Sequence, residues 1–71
     1  MTGTIRDFGT NPMTPRKGNL ICKQDGKNYQ FDNNSWALTG TTFREMVIAA
    51  KEHSECIFQF ENGIVRNLEI L

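Results

Sequence analysis

Two dipeptides, Asp25-Gly26 and Asn62-Gly63, constrain the fold of this chain more than any other feature. In a tight hairpin turn the central residues adopt a positive φ, which Asn, Asp and above all Gly accept. Each dipeptide stands between two short runs that are rich in strand-forming residues. The chain is therefore predicted to contain at least two antiparallel hairpins with tight turns.

Alternation of apolar and polar residues around these turns predicts five short strands. The most regular run places Cys56, Phe58 and Phe60 on the inner face. In the last run the same alternation places Leu68 and Ile70 inside, on the face that also carries Ile64 and Arg66. The predicted strands cover residues 2–8, 19–23, 27–31, 56–60 and 64–70.

One helix is predicted between the third and fourth strands. Thr42 and Glu45 have the spacing of a capping box, which marks the start of a helix. We predict that this helix spans residues 43–52 and covers the barrel as a lid. Its apolar stripe, at helical spacing, comprises Phe43, Met46, Val47 and Ala50.

Proline, glycine and polar residues predict the longer loops and turns between these elements. Residues 9–18 contain two prolines and two glycines and are predicted to form a long loop, and residues 32–35 are predicted to form a turn. Trp36, just beyond that turn, is expected to pack over the end of the barrel. The whole layout predicts a mainly β fold, a small five-stranded antiparallel barrel of the oligonucleotide-binding type.

Length and composition narrow the class of protein. The 71 residues suffice for one small domain, so residues 1–71 are treated as a single unit. Eight basic and eight acidic residues give zero net charge, which argues against general nucleic-acid binding. We find neither a membrane-spanning run nor a secretion signal in the sequence, so a cytoplasmic protein is expected. Cys22 and Cys56 lie in strand-like runs and are predicted to be buried free thiols.

Residues with catalytic potential are few. His53 stands between Glu52 and Glu55, which would suit an acid–base pair if a pocket gathered them, but a solvated helix end accounts for the same residues. The sequence contains no nucleophile motif, phosphate-binding glycine loop or metal-ligand spacing. We therefore predict a non-enzymatic protein without cofactor or metal.

Several segments resemble the cold-shock domain family. Residues 2–8, T-G-T-I-R-D-F, resemble the family opening T-G-T-V-K-W-F. Residues 17–22 resemble the first ribonucleoprotein motif, K-G-F-G-F-I, and residues 26–33 lie where the family has the second, G-K-D-V-F-V-H-F. Residues 56–60 and 65–68 resemble V-E-F-E-V and A-x-N-V. The resemblance implies a β-barrel that binds single-stranded nucleic acid by stacking bases on outward-facing aromatic side chains.

The chain departs from the family at the stacking positions and keeps the inner ones. Four lost stacking contacts at the lower value of about 1 kcal/mol each amount to about 4 kcal/mol, or about a thousandfold in affinity. We therefore expect a retained barrel with a lost stacking platform. The family's aromatic positions hold Asp7, Asn19, Ile21, Gln30, Asp32 and Asn33, whereas Ile5, Leu20, Cys22, Tyr29 and Phe31 are expected to face inward.

Two functions remain open at this point. The favoured one is binding to a protein partner through the altered face or the enlarged connections, as a regulator of a nucleic-acid machine by analogy of fold. The alternative is weak or atypical binding of single-stranded DNA or RNA, with Trp36 or Phe43 as displaced stacking residues. Oligomeric state is not indicated. The candidate binding residues are Arg6, Asp7, Arg16, Lys17, Asn19, Ile21, Lys23, Lys27, Gln30, Asp32 and Asn33, with Met13 as a further loop contact.

Overall fold

The computed structural model describes residues 1–9, 12–13 and 15–71. Within them, five antiparallel strands form one sheet in the order β3-β2-β1-β4-β5, and the edge strands β3 and β5 also lie in contact. The predicted mainly β, barrel-like architecture is confirmed, while part of the predicted loop at residues 9–18 lies outside the described residues. The elements are β1 (Thr2–Phe8), β2 (Gly18–Cys22), β3 (Asn28–Phe31), α1 (Asn33–Trp36), a 3-10 turn (Ala37–Thr39), α2 (Phe43–Glu52), β4 (Glu55–Glu61) and β5 (Ile64–Ile70).

An aromatic cluster closes one end of the sheet. The Phe8 ring stacks on Phe31 at a centroid distance of 5.9 Å, and Trp36 and Phe43 meet it edge-on at 5.9 and 5.4 Å. Trp36 is only 6% exposed, so its predicted position over the end of the barrel is confirmed. The helix predicted over residues 43–52 is also confirmed, with Thr42 accepting a hydrogen bond from the Glu45 N–H at 3.1 Å.

The turn predicted at residues 32–35 is wrong, because these residues begin a short helix. The Asp32 carboxylate accepts a hydrogen bond from the Asn34 N–H at 2.9 Å, and the Ser35 hydroxyl accepts one from the Asp32 N–H at 3.2 Å. Asp, Asn and Ser favour helix caps as strongly as turns, so composition alone does not separate the two. Burial of Trp36 against the barrel stabilises the helical alternative.

The two predicted hairpins form, but with different turns. Asn62 and Gly63 both have positive φ, 51° and 78°, as a two-residue turn requires, and Glu61 pairs with Ile64. The other turn is longer than predicted: Cys22 and Lys27 close it, with the Cys22 N–H donating to the Lys27 carbonyl at 2.9 Å.

Alternation along β5 fails at a bulge. Between the pairs Ile57–Glu69 and Gln59–Arg66, β5 has one residue more than β4, and Asn67 there has a φ of 52°. An extra residue reverses which face the next side chains occupy. Val65 is therefore buried and Ile64 exposed, which corrects the predicted face at the start of β5. Leu68 is buried and Ile70 is partly buried against the core, as predicted. Phe60, also predicted inside, is 43% exposed at the end of β4.

Gly18 allows β2 to approach both neighbours closely. A Cβ on Gly18 would overlap the Asp7 carbonyl oxygen and lie 2.6 Å from the Phe31 ring. Because the first obstacle is main chain, Gly18→Ala is expected to lower the free energy of unfolding by about 3 kcal/mol in urea denaturation. Gly9→Ala is the control, since nothing lies within 4 Å and only its φ of 70° costs about 1 kcal/mol. Equal losses in the two variants would contradict the steric explanation.

Both cysteines are free and buried, as predicted. Burial raises the pKa of the Cys56 thiol from 9.0 to about 11. The stability that depends on the neutral thiol is therefore present below pH 9 and is lost as the pH rises to about 11. We expect Ellman's reagent at pH 8 to react with neither cysteine in the native protein and with both in denaturant. Rapid reaction of one thiol in the native state would contradict this packing.

Candidate binding face

A polar ladder of three side chains, Asp7, Asn19 and Asn28, crosses β1, β2 and β3 on the outer face. Asp7 and Asn19 are paired in the strand register, and the Asn19 amide nitrogen donates to both Asp7 carboxylate oxygens at 3.1 Å. The Asn28 amide nitrogen donates to the Asn19 carbonyl oxygen at 3.2 Å. Because each side chain is hydrogen-bonded to the next, the three side chains of the ladder are ordered on the surface without a bound ligand.

Ile21 and Gln30 complete this surface. Ile21 is partly buried and lies opposite Thr4 on β1 and Asn28 on β3, whereas Gln30 is exposed and lies opposite Asn19. On the outer face of β1, β2 and β3, among the residues that the structure describes, no position holds an aromatic ring. We call the surface formed by Asp7, Asn19, Ile21, Asn28 and Gln30 the binding face.

The aromatic residues of the third strand and its continuation lie elsewhere. Phe31 and Trp36 are buried, and Tyr29 is partly buried against Phe58 and Phe60, with ring centroids 5.5 and 4.7 Å apart. These positions match the expected inward direction of Tyr29 and Phe31. A register shifted by one residue would have placed both rings on the outer face.

Asp32 and Asn33 leave the sheet. β3 ends at Phe31, and the Asp32 carboxylate caps α1, of which Asn33 is the first residue. Both residues were predicted to be among the stacking positions, because in the family that this segment resembles the strand continues through the corresponding residues. The predicted six-residue surface therefore retains four members on the sheet, and Asn28 joins them.

Asp25 and Tyr29 brace the turn beside the binding face. The Tyr29 hydroxyl donates to the Asp25 carboxylate at 2.5 Å, and the Lys27 N–H donates to the same group at 2.9 Å. The bond from Tyr29 lowers the pKa of Asp25 and raises the pKa of Tyr29 to about 12. The turn is thus held by a carboxylate that stays ionised near neutral pH.

The five basic candidates do not share one environment. Lys23 forms an ion pair with Glu55 of β4, and the Arg16 guanidinium lies 5.2 Å from the centre of the Phe43 ring. Arg6 lines a cavity against α2. Lys17 and Lys27 line two separate cavities along β3. A continuous track for a phosphate backbone would need these cations along one path.

His53, Glu52 and Glu55, the possible acid–base residues at the end of α2, do not meet in one pocket. His53 Nδ1 lies 3.2 Å from the Ile5 carbonyl oxygen, whereas Glu55 pairs with Lys23 and Glu52 lines a different cavity. Over residues 1–9, 12–13 and 15–71, no three His, Cys, Asp or Glu side chains are arranged to hold a metal ion.

Asn28 is the member of the binding face that sequence reasoning missed. Asn28 lies in the segment that resembles the second motif, but the family has no stacking aromatic at this position, so the comparison did not select it. Its diagonal position relative to Asn19 follows from the pairing of Asn28 with Ile21 and of Gln30 with Asn19. The Asp25-Gly26 turn signal predicts that β2 and β3 pair, but it does not fix which residues lie opposite one another.

The chain was also compared with known proteins. Searches against protein-family models, curated proteins and solved structures find no match. None of the helices in the described part of the chain is both long and apolar enough to cross a membrane.

Proposed function

We propose that this chain is a non-enzymatic, cold-shock-like binding module that recognises a protein partner through the binding face. The observation that supports this most directly is the polar ladder, which occupies the sheet surface with hydrogen-bonded side chains. A base needs an exposed ring to stack on, and each such contact is worth about 1–3 kcal/mol. Asp7 instead presents a carboxylate, which repels phosphates.

The same surface has the properties of a small protein interface. Its polar groups are already paired, so binding does not leave the Asp7 and Asn19 side chains unsatisfied. Their order also reduces the conformational entropy lost on association. Ile21, at the centre, supplies an apolar contact surrounded by polar side chains, the usual arrangement of an interface core and rim. Two free thiols fit a reducing compartment such as the cytoplasm.

One observation favours the alternative, binding of single-stranded nucleic acid. Phe43 is 45% exposed, and Arg16 lies over its ring. This pair offers one stacking surface beside one cation, worth about 1–3 kcal/mol. Trp36, the other displaced stacking residue considered, is buried and supplies none. A single site of this strength gives weak binding unless other contacts add to it.

Site-specific photo-crosslinking separates the two functions. A diazirine amino acid of aliphatic shape replaces Ile21 in one variant and Ile48, exposed on α2, in the control. In host extract, the variant with the diazirine at position 21 is expected to give a discrete, protease-sensitive adduct. Excess unlabelled protein is expected to reduce the yield of this adduct. The variant with the diazirine at position 48 is expected to give no such adduct. A nuclease-sensitive adduct at position 21, or the same protein adduct at both positions, would overturn the proposal.

A further inference from the structure

A cavity of 260 Å³ opens between β1 and α2, at the edge of the binding face, with which it shares Asp7. It arises where β1 parts from β4. Thr4 is still paired with Glu55, but at the next residue the Ile5 N–H donates to the Ser54 carbonyl at 2.9 Å. The register with β2 then shifts between Ile5 and Asp7, which marks a bulge at Arg6. Such a bulge bends a strand and redirects its side chains.

The floor of this cavity is apolar. Phe8 and Ala50 are buried and Val47 is partly buried, and the three side chains come from β1 and α2. Its volume is just below the range of about 300–1,000 Å³ for drug-sized ligands, so a fitting ligand is small. An apolar floor of this size accommodates one aryl ring or a short acyl chain.

The rim of the cavity is mainly basic. Arg6, Lys51 and His53 line it, together with Asp7. Both Asp7 oxygens already accept hydrogen bonds from Asn19. His53 Nδ1 faces the Ile5 carbonyl, which only accepts, so Nδ1 carries a proton and Nε2 is the free ring nitrogen.

Arg6 and Lys51 form no ion pair with a carboxylate in the part of the chain that the structure describes. Among the described residues, the ion pair found joins Lys23 to Glu55, and neither Arg6 nor Lys51 takes part in a side-chain hydrogen bond. An exposed cation alone indicates no ligand. Here two cations and an apolar floor line one cavity, and they match the charged end and the apolar end of an amphipathic anion. An arginine also binds a carboxylate through two parallel hydrogen bonds.

We propose that this cavity binds a small organic carboxylate, with its apolar part on Phe8, Val47 and Ala50 and its carboxylate at Arg6 and Lys51. The chemistry has two sources, a free carboxylic acid or the C-terminal carboxylate of a peptide that ends in an apolar residue. The site lies on the side of β1 that faces α2 and shares Asp7, but no other residue, with the binding face.

Titration with phenylacetate, followed by NMR of the Val47 and Ala50 methyl groups, tests the proposal. We expect saturable shifts of these signals, with the neutral probe phenylacetamide binding about tenfold more weakly. Arg6→Gln and Lys51→Gln are each expected to weaken phenylacetate binding about tenfold. Lys27→Gln removes the same charge at a different cavity and is expected to change binding less than about twofold. Retained spectral dispersion shows that each variant is folded.

Three results would overturn the site: no saturable shift at Val47 and Ala50, equal binding of phenylacetamide, or equal weakening by Lys27→Gln. A second comparison assigns the source of the carboxylate. If the natural ligand is the C-terminus of a peptide, an acetylated tripeptide with a free C-terminal Phe is expected to bind more tightly than phenylacetate. The same tripeptide with a C-terminal amide is then expected not to bind. If the order is reversed, the ligand is a free acid.

Discussion

Replacing Phe58 with alanine is expected to lower the free energy of unfolding by about 3–5 kcal/mol. Phe58 is 1% exposed, and its ring packs against Tyr29 across the interior of the sheet. A domain of this size has a net stability of only about 3–5 kcal/mol, so the variant is expected to be largely unfolded at room temperature. Urea denaturation followed by Trp36 fluorescence measures the loss, because the indole is buried in the native state.

Phe60 provides the matched control, two residues further along β4. Both side chains belong to the same alternating run, but Phe60 is 43% exposed and meets Tyr29 only edge-on at 4.7 Å. Phe60→Ala is expected to cost about 1 kcal/mol, since it removes a partly solvated ring. If the two variants were equally destabilised, β4 would bury both residues and the end of the barrel would be closed more tightly than the structure shows.

Introducing aromatic rings on the outer face is expected to produce binding of single-stranded DNA. The triple variant Asn19→Phe, Ile21→Phe and Gln30→Phe places three rings on β2 and β3, where the resembled family has stacking aromatics. At the lower value of about 1 kcal/mol each, three stacking contacts raise affinity by at least about a hundredfold. Anisotropy of labelled oligothymidine at low salt measures the gain relative to the parent chain.

Leucine at the same three positions is the control, because it adds apolar surface without a ring. The Asn19 substitution also breaks the polar ladder, so the double variant Ile21→Phe and Gln30→Phe is measured beside the triple variant. Parent binding at micromolar or tighter affinity with a steep salt dependence would show that another surface binds nucleic acid. A triple variant that stays as weak as the leucine control would show that missing rings are not what limits affinity.

Local signals account for the elements that were predicted well. Asn62-Gly63 forms its two-residue turn because both residues tolerate positive φ, and Thr42 starts α2 because its hydroxyl caps the Glu45 N–H. Residues 43–52 repeat apolar side chains at helical spacing, and α2 occupies those residues. Each of these features depends on residues within a few positions of one another, so the local sequence is sufficient to predict it.

The binding face was predicted in part for the same reason. Alternation correctly separates inner Leu20 and Cys22 from outer Asn19 and Ile21, since the face of a strand residue follows from its parity. Asp32 was misplaced because the end of β3 depends on how α1 packs Trp36 onto the barrel. That contact joins elements whose arrangement no local pattern specifies.

The Asn62-Gly63 turn, the limits of α2 and the inner residues of the first three strands thus follow from the sequence, because short-range conformational preferences and parity govern them. The bulges at Arg6 and Asn67 do not, because an extra residue is defined only against a partner strand that is distant in the chain. The pairing of β1 with β4 ends at Thr4, and the cavity lies between the following residues of β1 and α2. Pairing between distant strands, and not any local preference, therefore creates this basic, apolar-floored site.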